Sequence, residues 1–522
     1  MCFDDLLKQD FGTIADLIRA HAALRPTHPA LILDDRVLDY AALDALMDRV
    51  AAALQRDGLK PRDTIAICGA TSLEYAAAFL GSLRAGVTVA PLAPDAAPAG
   101  LAAMVADAGA KLLFLRRAVA DSLESVAGTI AARRIALDDS TAGAAFSDWL
   151  APVGAVPQPV AVQPDWSFNI IYSSGTTGVP KGIAMPHAFR WAQVKLFMTL
   201  GYGPDAVTMV SIPLYSNMTL SSFLPALAMG STVVLMAKFD AGKYLALAEK
   251  YRVTHSMMVP VQFQRIMARP DFDNYDLSAF RMKSCGSAPF ASALKADILA
   301  RWPGALVEYY GMTEGGGVCV LSAREQAHKL HTVGKPAPGH DMRVIDDAGR
   351  ELAPGEIGEI VGRSGTMMTG YHNLPQKTAE AEWFDAEGRR FIRSGDVGRF
   401  DEDGFLILLD RKKDMIISGG FNVYPSDLEA VIREHPAVAE VAVVGVPSQR
   451  WGETPIAFVV LRAGAAVTAE ALLAWTNQKV GKSQRLATVE IATGLPRSDI
   501  GKVLKRQLRD TYIASAVIKP AS

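Results

Sequence analysis

The segment Tyr172-Ser173-Ser174-Gly175-Thr176-Thr177-Gly178-Val179-Pro180-Lys181-Gly182 gathers three glycines, four aliphatic hydroxyls and one lysine. Glycine lets successive backbone N–H groups turn toward one anion, and hydroxyls and an ammonium add donors and charge. That chemistry suits a polyphosphate. The spacing departs from G-x-x-x-x-G-K-[ST], because Gly178 and Lys181 stand three apart and Gly182 follows the lysine. Four later segments also carry reactive groups in tight order. They are Tyr309-Tyr310-Gly311-Met312-Thr313-Glu314, Ser394-Gly395-Asp396, the charge run Asp410-Arg411-Lys412-Lys413-Asp414, and Pro496-Arg497-Ser498-Asp499-Ile500-Gly501-Lys502. Taken singly, each has a plainer reading. Glu314 or Asp396 alone would be a cap or a surface carboxylate, Arg411 and Lys413 a solvated run, and Lys502 one of many exposed lysines.

These groups need elements to position them. Leu43, Leu46, Met47, Val50 and Leu54 recur at helical spacing. Thr64 to Cys68 is a short apolar strand, and Ser72 then caps an alanine-rich helix running to about Arg84. Val87 to Ala90, Lys111 to Leu115 and Asn169 to Tyr172 read as further strands. Strands alternating with helices imply parallel pairing through crossover helices, an α/β architecture. The stretch from Asp139 to Asp165, with Pro152, Pro157, Pro159 and Pro164, reads as a long surface connection. Beyond the charge run the pattern is helix, two strands, helix, strand and helix, with Ser426 and Glu429 spaced as a capping box. We therefore expect a large domain over 1–410 and a small α+β domain over 411–522.

Taken together, the five segments resemble, in order, the signature motifs of the adenylate-forming superfamily: acyl-CoA synthetases, peptide-synthetase adenylation domains and luciferases. The match is most like an acyl-CoA synthetase. The resemblance implies a two-step reaction: a carboxylate attacks the α-phosphate of ATP, and a thiol, usually coenzyme A, then displaces AMP from the acyl-adenylate. It implies that Ser173, Ser174, Gly175, Thr176, Thr177, Gly178 and Lys181 hold the β- and γ-phosphates. Thr313 would meet the α-phosphate, and Glu314 would offer Mg²⁺ an oxygen ligand. Gly286, Ser287, Ala288, Tyr310, Gly311 and Met312 would line the adenine site. Asp396 would accept from both ribose hydroxyls, and Arg411 is a permanent cation beside ribose or phosphate. Lys502 would bridge the carboxylate and the α-phosphate. The small domain would rotate about Lys413 between the two steps, bringing Gly419 and Gly420 to the pantetheine channel.

The acid pocket that the resemblance implies draws on segments near 211–223, 255–264, 284–289 and 311–320, with Tyr215, Ser216, Met218 and Phe263 as its candidate lining. Between Asp205 and Lys238 lie 32 uncharged residues, which offer no base for a second carboxylate and no acid for an α-amine. Arg265 is the nearest charge from outside the run. An apolar acid, fatty or aromatic, is the expectation. One departure is Ser216, where the superfamily's acyl-CoA synthetases commonly have histidine. A buried Trp451 fits the pattern as well as one beside the thiol channel.

Composition closes off other classes. The 522 residues carry 53 basic and 55 acidic side chains, a net charge of −2 that gives no case for nucleic acid or a membrane surface. Pro213, Asn217, Pro225 and Gly230 interrupt the uncharged run, so we read strand, buried helix and strand there, with no membrane span. Asp4, Asp5, Lys8 and Asp10 do not fit a signal peptide, and Cys2, Cys68, Cys285 and Cys319 are too scattered for a disulfide scaffold or zinc site. We expect a cytoplasmic enzyme of fatty- or aromatic-acid metabolism using ATP, Mg²⁺ and coenzyme A, with a homodimer left open. The alternatives are an enzyme loading a carrier protein, or a non-catalytic nucleotide-binding protein.

Overall fold

The computed structural model describes residues 3–173, 181–418, 421–481, 484–498 and 501–518. The chain forms two compact units: 1–330, 336–341 and 362–392 make the first, and 331–335, 342–361 and 393–522 the second. The chain therefore enters the second unit more than once before committing to it.

Two twisted sheets organise the first unit. One runs in the order Gly315–Ser322, Ala305–Met312, Met282–Gly286, His255–Met258, Val207–Val210, Thr232–Leu235, Pro29–Leu33, Arg36–Asp39. Its interior pairs are parallel, and the hairpins at the two ends are antiparallel. The other runs Gly370–Tyr371, Lys181–Pro186, Ser167–Ser173, Thr88–Leu92, Thr64–Cys68, Ala110–Leu115, Arg133–Ala136, Ala144–Ala145. The alternating βα pattern thus yields the parallel pairing it implies.

Alternation along the strands divides the core. Leu31 and Leu33 point into one apolar cluster while Ile32 joins another; Val233 and Leu235 split from Val234 in the same way. The cluster between the sheets takes helices Ile14–Leu24, Tyr40–Arg56, Leu73–Arg84 and Asn217–Ala228. Helices Ala241–Lys250, Pro260–Met267 and Ser292–Arg301 cover the outer face of the first sheet, and Pro98–Asp107 covers that of the second. Sheets buried on both faces explain why their strands read as unbroken apolar runs. Fully burying each such side chain contributes about 1.5–3 kcal/mol.

Several sequence expectations survive in detail. Ser72 Oγ accepts from Tyr75 N at 3.1 Å and opens the helix Leu73–Arg84. The uncharged run is Val207–Val210, Asn217–Ala228 and Thr232–Leu235, and among the described residues no helix is long and apolar enough to cross a membrane. The stretch 139–165 departs from expectation. Ala144–Ala145 adds an edge strand, and Phe146 and Trp149 of the short helix behind it are buried against Phe114, so only its later part is surface connection.

In the second unit, strands Val438–Ser448 and Gly452–Leu461 form the central hairpin, flanked by Ile416–Ser418 and Thr488–Ile491. Helices Pro425–Arg433 and Ala469–Lys479 pack on one face and Lys505–Ile518 on the other. The expected capping box is absent. Pro425 occupies the first helical position, which makes Tyr424 the cap, and Ser426 lies inside the helix with its N–H donated to Asp410 Oδ2 at 2.9 Å. Glu429 instead accepts from Val443 N at 2.9 Å and pairs with Lys505 at 2.8 Å.

Candidate active site

Two antiparallel strands flank the glycine-rich string. Strands Ser167–Ser173 and Lys181–Pro186 pair with Ser173 opposite Lys181 and Tyr172 opposite Gly182. The candidate residues Ser174, Gly175, Thr176, Thr177 and Gly178 lie outside the described residues, as do Gly419 and Gly420. The base of the hairpin is well anchored. Tyr172 donates its hydroxyl to Asp107 Oδ2 at 2.6 Å, and His372 N donates to Gly182 O at 2.6 Å. Lys181 Nζ stands 5.1 Å from the centre of the Tyr371 ring, and Tyr371 in turn donates its hydroxyl to Glu314 Oε1 at 2.9 Å. Burial, then the Glu314 charge, pushes the Tyr371 hydroxyl up, so it stays a donor. Sequence reasoning missed Tyr371. It sits on a two-residue strand, Gly370–Tyr371, whose only sequence signal is an aromatic after glycine.

Thr313 and Glu314 form the reversal of a second hairpin, with Met312 opposite Gly315. The turn is held by glycine. Gly315 adopts φ +87°, and a Cβ there would lie 2.1 Å from Thr366 O. Backbone on one side and a left-handed conformation on the other leave a side chain no room. Gly315→Ala should lower unfolding stability by about 2–4 kcal/mol and displace Glu314. Denaturant titration checks this, and a change below about 1 kcal/mol would mean that the Thr366 backbone gives way freely.

Strand Met282–Gly286 runs beside this hairpin with Gly286 opposite Tyr309, and a Cβ on Gly286 would stand 2.9 Å from Tyr309 O. Ser287 follows at φ +69°, a conformation rare outside glycine, and its Oγ reaches Met218 Sδ at 3.1 Å. Met218 therefore joins the 286–288 segment to the helix Asn217–Ala228. Ser216 is that helix's N-cap but makes no side-chain cap bond, and Tyr215 and Ser216 are both half-buried. Phe263 is different. It is fully buried and packs against Phe290 at 5.5 Å and Trp302 at 5.9 Å, in the core beyond the sheet, so it is a packing residue and not pocket lining. Arg265 is exposed on the same helix.

In the second unit, Asp396 and Arg411 are directly opposite on neighbouring strands, and Arg411 Nε lies 3.1 Å from Asp396 Oδ1. The approach to Asp396 is a tight bend: Gly395 sits at φ +69°, Ser394 Oγ donates to Ile360 O at 2.7 Å, and Asp396 N donates to Ser394 Oγ at 3.0 Å. Lys412 turns away to Asp347 at 2.7 Å and Glu359 at 3.3 Å. Burial pushes the Lys413 amine down, with Arg411 adding to the effect.

Lys502 closes a narrow loop in which Ser498 N donates to Lys502 O at 2.9 Å and Gly501 takes φ +77°. The residue is exposed as a whole, yet desolvation lowers its amine to about 8. Arg411 and Lys413 push in the same direction, and Asp396 and Asp414 oppose them. The second unit thus gathers Asp396, Arg411, Lys413 and Lys502 into one electrostatic cluster. Trp451, by contrast, is 46% exposed, with Arg450 stacked 4.6 Å from its ring centre, and is not a buried structural tryptophan.

Comparison with known proteins gives the family. A family model described as AMP-binding enzyme matches residues 18–372, and one described as AMP-binding enzyme C-terminal domain matches 427–502. A feruloyl-CoA synthase from Amycolatopsis sp is 34% identical over 94% of this chain and 97% of its own. A fatty acid–[acyl-carrier-protein] ligase, ScoC, from Streptomyces coeruleorubidus is 31% identical over 98% of each. The crystal structure of ATP-bound MatB from Rhodopseudomonas palustris superposes with a TM-score of 0.84 at 30% identity, covering 95% of this chain and 99% of that one. The chain belongs to the AMP-binding enzyme family.

Proposed function

We propose that the protein is an ATP-dependent carboxylic acid:CoA ligase. In the first step a carboxylate oxygen bonds to the α-phosphorus of ATP and pyrophosphate leaves. In the second the thiol of coenzyme A attacks the acyl carbonyl, loses its proton, and AMP departs with the bonding pair. The observation that carries this reading is the cluster of Asp396, Arg411, Lys413 and Lys502, drawn from three motifs that span more than a hundred residues. Relatives named as feruloyl-CoA synthase and indoleacetate–CoA ligase support the reaction type.

Ser173, Ser174, Gly175, Thr176, Thr177, Gly178 and Lys181 would hold the phosphates, with Thr313 at the α-phosphate. Gly286, Ser287, Ala288, Tyr310, Gly311 and Met312 would receive adenine, and Asp396 the ribose. Glu314 would hold Mg²⁺. No cluster of three acidic, histidine or cysteine ligands occurs among the described residues, which fits a cation held by one carboxylate and the nucleotide's own oxygens. When bound, the ion would neutralise phosphate charge. Rotation of 411–522 about Lys413 would separate the two steps and bring Gly419 and Gly420 to the thiol. Among the described residues Cys68, Cys285 and Cys319 are buried and form no disulfide, in keeping with a reducing, cytoplasmic setting.

The acid pocket we assign to Tyr215, Ser216 and Met218, and its occupant to an aromatic or fatty acid. The test is pyrophosphate release with ATP and Mg²⁺ over short, medium and long fatty, benzoic, cinnamic and dicarboxylic acids, each with and without coenzyme A. Release on an apolar acid, with thioester only when coenzyme A is present, is the expected result. Release without thioester would favour carrier loading, the activity named for ScoC. Silence on every acid would overturn the reading.

A further inference from the structure

Arg190, the fourth residue of helix His187–Phe197, is only 1% exposed. A cation withdrawn from water needs an opposite charge or a complete set of acceptors. No carboxylate among the described residues pairs with it, and its partners are all neutral. Nη2 donates to Asn217 Oδ1 at 2.7 Å and to Asn169 Oδ1 at 3.2 Å, Nη1 to Gln193 Oε1 at 2.8 Å, and Nε to Asn169 Oδ1 at 3.4 Å. Met185 Sδ lies 3.3 Å from Nη2, and the rings of Phe168 and Phe189 lie 5.6 and 5.2 Å away. Burial pushes the guanidinium down to about 9, which still leaves it charged at neutral pH.

These partners come from separate parts of the first unit. Asn169 and Met185 are register partners in the stem of the glycine-rich hairpin. Asn217 is the first residue of the helix that follows Ser216. Gln193 extends a second arm to that helix: its Nε2 donates to Ser221 Oγ at 3.0 Å, which donates to Asn217 O at 3.0 Å. Arginine has no acceptor, so each amide must present its oxygen inward. Asn169 does so although its Nδ2 is then buried with no hydrogen-bond partner among the described residues. A site that needed only filling would be served as well by an apolar side chain.

We propose that Arg190 is a positioning residue for adenylation. Its planar fork fixes the start of the acid-pocket helix against the stem of the phosphate hairpin, and so sets the line on which the carboxylate meets the α-phosphate. The proposal rests on the assignment above of that hairpin to phosphate and of the 215–218 segment to the acid. Lysine, a point charge on a flexible stem, cannot serve three acceptors at fixed angles.

The test uses full-length wild type, Arg190→Met, Arg190→Lys, Asn217→Ala and the Arg190→Met/Asn217→Ala double variant. Pyrophosphate release gives kcat and KM for ATP and for the acid; active-site titration and thermal unfolding run alongside. Misalignment of about 1 Å can cost about 10²-fold, so Arg190→Met should lose about that much kcat and raise KM for the acid about tenfold. Asn217→Ala should raise KM for the acid with ATP affinity within about twofold, and the double variant should be no worse than Arg190→Met, because the pair acts as a unit. Arg190→Lys should recover less than about a tenth of the activity. Folded variants with kcat and KM within about twofold of wild type would overturn the proposal. So would fewer active molecules with unchanged constants, the mark of a purely structural role. If Arg190→Met does not fold, Asn217→Ala carries the test alone. A wild type that forms no adenylate from any acid fails at the assignment of the site and takes the proposal with it; an active wild type with indifferent variants fails at Arg190.

Discussion

Lys502→Ala is expected to slow acid-dependent pyrophosphate release by about 10³-fold, while transfer of a supplied acyl-adenylate to coenzyme A stays within about threefold of wild type. Two anions must come into contact for adenylation, and a compact ammonium between them offsets their repulsion as charge shifts toward pyrophosphate. In the second step a neutral thioester forms from a mixed anhydride, and that need disappears. Lys502 is suited to leave and return, because its residue as a whole is exposed although its amine is partly desolvated. The measurement is two assays on one preparation; equal losses in both would sink the division of labour.

The same lysine should appear in the pH profile. Its amine is lowered to about 8, by burial first and by Arg411 and Lys413 after it. The charged form is the useful one, so kcat/KM for adenylation should fall as pH rises through about 8 and be flat below it as far as this group is concerned. Lys502→Arg keeps its charge over the whole range and should abolish that alkaline limb, at a lower overall rate because the fork does not fit a point contact. A limb that persists in Lys502→Arg would assign the titration to another group.

Asp396→Ala should reduce kcat/KM for ATP by about 10²-fold, combining the loss of the proposed ribose contact with a displaced Arg411. Asp396 is held from both sides, by the Gly395 bend and by its cross-strand ion pair with Arg411 at 3.1 Å. Truncation leaves Arg411, Lys413 and Lys502 as a cluster with one counter-charge fewer. Asp396 is one of the groups that raise the Lys502 amine, so in Asp396→Asn the alkaline limb should move to lower pH. Unchanged KM for ATP together with an unmoved limb would separate Asp396 from both nucleotide and lysine.

Much of this molecule can be read locally. The parallel sheets follow from short apolar strands alternating with helices, since strands buried on both faces have no polar side. The Ser72 cap and the helix Asn217–Ala228 also need only neighbours in sequence. The misreadings mostly involve partners outside the local segment. Ser426 and Glu429 have capping-box spacing, but Glu429 is claimed by Val443 N and Lys505, and Pro425 shifts the helix start. Phe263 matches a pocket segment, yet the partners that take it into the core are Phe290 and Trp302. Arg190 was passed over because an arginine between aromatic residues on a helix looks like an ordinary surface position, and only its acceptors at 169 and 217 reveal a buried one. Tyr371 is silent in sequence for the same reason: Lys181 and Glu314 are both more than fifty residues away.

The second compact unit is assembled from three stretches of chain, 331–335, 342–361 and 393–522. Recombination between relatives therefore has no single clean seam. A crossover at residue 410 would cut the last residue from strand Leu406–Arg411 and separate Asp396 from its own Arg411. Shuffled genes should tolerate exchange best where strand Leu406–Arg411 stays whole with the parental residues 396–400 that it faces. The lineage of this protein is then expected to have inherited its two units together, as co-adapted halves of one gene rather than as interchangeable modules.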